Sequence, residues 1–133
     1  MIVSCNQFGY GDDSGPMPKN CDESIIIDEV RYKEDESDMF SILDAKIYGD
    51  CLEIKISASG CNGDSWEIGL IDSGMIAESF PEQRFVKVSF KNSEECLAVF
   101  TNTISFDLTR IRTSNNVVYL NLSSWSEKLL YEY

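Results

Sequence analysis

From Phe40 onward the apolar residues recur at every second position, and a period of two belongs to half-buried strands. Leu52, Ile54, Ile56 and Ala58 alternate with Cys51, Glu53, Lys55 and Ser57. Gly49-Asp50 separates this run from residues 42–48, and a glycine followed by aspartate suits a two-residue type II′ hairpin turn, whose first position needs a positive φ. Trp66, Ile68 and Leu70 continue the pattern, as do Val86, Val88 and Phe90. The longest face holds Ala98, Phe100, Ile104, Phe106 and Leu108, with Asn102 as its single polar intrusion. Val118, Leu120 and Leu122 make another strand, and Leu129, Tyr131 and Tyr133 the last.

Seven or eight short strands at this spacing predict an all-β fold: an antiparallel two-layer sandwich, immunoglobulin-like or related, with a small barrel as the alternative. The expected core is Leu52, Ile54, Ile56, Trp66, Ile68, Leu70, Val86, Val88, Phe90, Phe100, Ile104, Phe106, Leu120 and Leu122. No segment carries a sustained 3.6-residue stripe, which confines helix to a turn or two near residues 108–113 or 124–128.

Charge divides the chain unevenly. Residues 12–38 hold ten of the 23 acids against Lys19, Arg31 and Lys33, and two of the three prolines, Pro16 and Pro18, fall in the first twenty residues. With Gly9, Gly11 and Gly15 nearby, residues 1–23 read as an N-terminal tether of low regular structure, leaving 24–133 as a single domain. The net charge of −12 argues against nucleic acid and anionic membrane surfaces as partners, because phosphate binding requires a clustered basic face.

Five cysteines and no histidine point to an exported protein, since small cysteine-rich chains belong mostly to oxidising compartments. Ile2-Val3-Ser4-Cys5 has the form of the end of a bacterial lipoprotein signal, so Cys5 is a candidate for lipidation and that lipid is the expected route to a membrane. Four cysteines remain, Cys21, Cys51, Cys61 and Cys96, and their three possible pairings stay open in the sequence.

The chemistry available is narrow. Without histidine, Ser-His-Asp and Cys-His mechanisms are excluded and zinc loses its usual nitrogen ligand. Asp12-Asp13-Ser14-Gly15 and Asn62-Gly63-Asp64 offer oxygen ligands but lack the spaced acidic loop of a calcium site, so both read as turns. No cofactor or metal is expected. Asp64, Glu67 and Asp72 gather near Trp66, with Glu78 and Glu82 following, and Asp64, Trp66 and Glu67 are the weak candidates for a ligand site.

Four landmarks give the chain a likeness. Ser59-Gly60-Cys61, Glu95-Cys96-Leu97-Ala98, the segment 104–108 and Leu130-Tyr131-Glu132-Tyr133 resemble, in order and spacing, small bacterial secreted and lipoprotein domains of uncharacterised function. Similar sequences often place a histidine shortly after the Gly-Cys pair, where this chain has Asn62-Gly63-Asp64-Ser65. The resemblance implies a periplasmic or surface β-domain and brings no catalytic residues. It also favours a Cys61–Cys96 disulfide, with Cys21 and Cys51 left for a second.

The reading that follows is a non-enzymatic binding or structural module, secreted or displayed at the cell envelope, whose partner is an unidentified protein or glycan. The alternative is an inhibitor or immunity-like protein acting on a basic partner. A carboxylate-dependent hydrolase is the minor alternative, since glycoside hydrolysis needs only two acids at a set separation.

Overall fold

A computed structural model describes residues 20–133 as two facing β-sheets. Cys5 and most of the expected tether lie outside the described residues. In chain order the elements are β1 (Glu23–Ser24), β2 (Ile26–Ile27), α1 (Glu29–Glu34), β3 (Ser41–Tyr48), β4 (Cys51–Gly60), β5 (Glu67–Ala77), β6 (Glu82–Lys91), β7 (Ala98–Asp107), a 3-10 turn (Thr109–Ile111), β8 (Val117–Leu122) and β9 (Leu129–Glu132). One sheet has the order β9-β8-β6-β5-β2 and the other β1-β7-β4-β3.

Period-two patterning accounts for the core. Leu52, Ile54, Ile56 and Phe106 from one sheet meet Leu70, Val86, Phe90, Leu120 and Tyr131 from the other, all fully or almost fully buried. Of the expected core, Ile68, Phe100 and Ile104 pack against this cluster only partly buried. Gly49 takes φ +57 between β3 and β4 while Asp50 keeps a negative φ, as the expected hairpin turn requires.

The sheets do not close into a barrel, and they are mixed rather than purely antiparallel. β1 runs parallel to β7, β2 to β5 and β6 to β8. The cause is the path of the chain, which crosses to the other sheet to make β7 and therefore returns as β8 in the direction of β6. The other four pairings are antiparallel.

Helix appears where the period did not announce it. α1 is one and a half turns long, too short to show a stripe. The Asp28 side chain caps it by accepting from the Arg31 N–H at 3.0 Å, and Glu29 pairs with Lys33 at 3.3 Å one turn on. It packs on β5, and Tyr32 takes the Lys87 ammonium of the neighbouring β6 over its ring. The expected turn near 108–113 is present as the 3-10 segment, whereas 124–128 form no helix.

Two disulfides brace the sandwich. Cys61 joins Cys96 and Cys21 joins Cys51, with Cα separations of 4.8 and 5.6 Å. Cys21 is therefore held at the start of β4, the Asp22 carboxylate accepts from the Ser105 N–H, and Glu23 pairs beside Phe106. Residues 21–23, which the sequence assigns to the tether, are bonded into the sheet. Ile25 then passes fully buried from β1 to β2, carrying the chain from one sheet to the other.

The C-terminal landmark is a lock. The Tyr131 hydroxyl donates to Asp50 at 2.6 Å, Arg112 donates to the same carboxylate at 2.8 Å, and Tyr133 accepts from the Thr113 N–H at 2.7 Å. Burial and the bond to Asp50 push the Tyr131 hydroxyl up to about 12, while the Tyr131 and Arg112 bonds hold Asp50 below its usual range.

Candidate functional site

A groove of about 640 Å³ lies along one side of the sandwich, between β7 and the start of β5. It is lined by Asp22 and Glu23 at β1, Gly63, Asp64 and Trp66 in the loop after β4, Glu67 and Ile68 on β5, and residues 102–104 on β7. The crossing of Ile25 closes only part of this side, because β1 covers β7 at Phe106 and Asp107 alone and β2 covers β5 at Ile71 and Asp72 alone. Ile68 and Ile104 are half-buried for that reason: they stand on core faces at the edge where, among the described residues, no further strand covers them.

The loop forming one wall is held by a single carboxylate. Glu94 accepts the backbone N–H groups of Cys61, Asn62 and Gly63 on one oxygen, at 2.7, 3.1 and 2.9 Å. Its other oxygen takes the Ser65 N–H at 3.1 Å and the Ser65 hydroxyl at 2.6 Å. The Ser65 hydroxyl and then the Gly63 N–H lead in holding the Glu94 carboxyl down to about 2. Asn102, the polar intrusion on the long apolar face, donates to the Gly63 carbonyl at 3.0 Å and ties this loop to β7. Gly63 has φ +78, a left-handed conformation that glycine adopts without penalty. Gly60 serves close approach instead, since a Cβ there would stand 2.5 Å from a Glu94 oxygen and 3.2 Å from the Trp66 indole nitrogen.

The structure brings the three weak candidates, Asp64, Trp66 and Glu67, to this one groove. Trp66 is mostly core: it is 8% exposed, and its ring meets Phe90 edge-on at a centroid distance of 5.2 Å. Asp72 is not part of the site. It is fully buried on β5 and pairs with Arg84 of β6 through two hydrogen bonds, at 2.8 and 3.1 Å. Asp22 and Glu23 are the groove residues that sequence reasoning missed, because they were read as tether; the signal was Cys21 beside them, whose bridge fixes them to the sheet. Among the described residues no group of three or more acids and cysteines is arranged to hold a metal ion. No helix there is long and apolar enough to cross a membrane. Two disulfides fit an oxidising environment.

No family model and no curated protein matches the sequence. Solved structures share the fold. A NigD-like immunity protein from Bacteroides caccae superposes with a TM-score of 0.58 at 10% identity, over 78% of this chain and 53% of that one. A toxin-related protein from Parabacteroides distasonis gives 0.59 at 19% identity, over 83% and 60%. A protein of unknown function from Bacteroides vulgatus gives 0.54 at 14% identity, over 84% and 56%. The chain thus spans little more than half the length of the structures it resembles, and at these identities the likeness is one of fold.

Proposed function

We propose that this chain is a non-enzymatic protein-binding module of the exported space that engages a basic partner, in the manner of an immunity protein. The observation that carries the reading is the groove: four carboxylates, Asp22, Glu23, Asp64 and Glu67, line it without a lysine or arginine, on a chain of net charge −12. Such a field steers a basic protein toward the site and repels acidic ones. The immunity and toxin-related names of two structural neighbours support a protein partner. A lipid on Cys5 would anchor the chain to an envelope membrane.

The engagement of two of the acids supports binding over catalysis in this reading. Asp72 is paired with Arg84 outside the groove, and Asp22 accepts from Ser105 and serves to tie β1 to β7. The test is affinity capture from envelope extracts of the source organism with the intact chain, followed by assay of what is recovered. The expected result is a basic protein whose activity falls to background with one equivalent of the chain. Recovery of acidic proteins or glycans alone would overturn the reading.

A further inference from the structure

The edges of the two sheets are not alike. β3 ends its sheet with a bulge between Ile42 and Asp44 and with the exposed charges of Asp44 and Lys46, and β9 is only four residues long. Bulges, charges and shortness are how sheet edges avoid pairing with other chains. β7 carries none of these guards. Its residues 98–106 hold no charge and no proline, its pairing with β4 is unbroken, and Val99 is 71% exposed.

The direction of its free backbone groups is fixed by two hydrogen bonds. The Asp107 carbonyl faces β1, accepting from the Ile25 N–H at 3.1 Å, and the Ser105 N–H faces the same way, toward the Asp22 carboxylate at 2.9 Å. Alternate residues of a strand turn their N–H and C=O to the same side. Thr103, Thr101 and Val99 therefore present theirs to that side too, where among the described residues no strand pairs with them. The ladder begun by β1 stops at Asp22, whose side chain satisfies the next donor, and the groove with its carboxylates opens beyond it.

We propose that the open edge of β7 and this groove dock an extended, basic strand of the partner protein, which adds to the four-stranded sheet beside β1. The inference rests on the basic-partner reading above and assigns it a surface. Backbone pairing with Val99, Thr101 and Thr103 supplies the register, and lysines or arginines at alternate positions reach Glu23, Asp64 and Glu67. Charge selects the occupant. A second copy would bring the same four carboxylates to the edge. The chain's own residues 1–19 carry Asp12 and Asp13 against Lys19 alone, and Pro16 and Pro18 lack the N–H that a ladder needs.

The probe is a peptide of about eight residues, a usual strand length, alternating lysine and valine, with a glutamate–valine peptide as its counterpart; binding is read from amide exchange and affinity on the full chain. The lysine peptide is expected to slow exchange at Val99, Thr101 and Thr103, and Thr101→Pro to weaken it about tenfold or more by removing one outward donor. Because that variant can perturb the strand, Asp64→Asn with Glu67→Gln serves as a second test and is expected to weaken binding without altering the melting temperature. Lysine-peptide binding that leaves the three amides and the Thr101→Pro affinity unchanged would overturn the docking site alone, and the reading of a basic partner would stand. Equal binding of the glutamate peptide would sink that reading itself. Protection already present in the free chain also overturns the proposal: if it disappears on removal of residues 1–19 that segment fills the edge, and if it grows with concentration a second copy does.

Discussion

Five hydrogen bonds converge on the Glu94 carboxylate, and they order a loop that has no secondary structure of its own. The carboxyl titrates near 2 in the fold against an ordinary 4.5, so the unfolded chain takes up the proton first. Its stabilisation is complete above the ordinary value and is lost as the pH falls from there toward about 2. Urea unfolding of the wild type and Glu94→Gln should differ at neutral pH and converge as the pH falls from about 4.5 toward about 2. Curves that stay parallel across that range would show that the charge does not hold the loop. Little in the sequence marks Glu94, because its partners, four backbone N–H groups and the Ser65 hydroxyl, lie more than 28 residues away in the chain. Asn102 was marked, as a polar residue on an apolar face, and the Gly63 carbonyl explains it. The buried Asp72–Arg84 pair was hidden for the opposite reason, since either residue alone looks like a solvated charge.

Among the elements, the strands were legible, but of their partners only the Gly49-Asp50 hairpin of β3 with β4 was. Alternation gives each strand its buried face, so β4, β6, β7 and β8 stand where the pattern puts them. It says nothing of direction, which is why the three parallel pairings had no trace in the sequence. The Cys61–Cys96 bridge rested on the resemblance and joins the loop after β4 to the start of β7, across a separation of 35 residues. It works together with Glu94, since both fix residue 61 to the segment preceding β7. Replacing both cysteines by alanine should cost about 2–4 kcal/mol, chiefly by freeing the unfolded chain. Thermal unfolding under oxidising conditions checks this, and an unchanged midpoint would deny the bridge a structural role.

At the scale of the whole molecule, two disulfides and one core make an acidic body in which, among the described residues, the open edge of β7 runs beside the carboxylate groove. The sequence carried the acidity and the sandwich, but the groove depends on where two short strands begin, at Glu23 and Ile26, and no local pattern encodes that. Charge spread over the whole chain would assist solubility alone, whereas charge gathered at a docking edge must govern encounter. The most direct measurement is the association rate of the wild-type chain with its captured partner as salt is raised from a few millimolar to about 0.15 M, where charges more than about 8 Å apart are screened. The account predicts a fall of about tenfold or more, mirrored at low salt by Asp64→Asn with Glu67→Gln. A rate that stays flat across that range would contradict it.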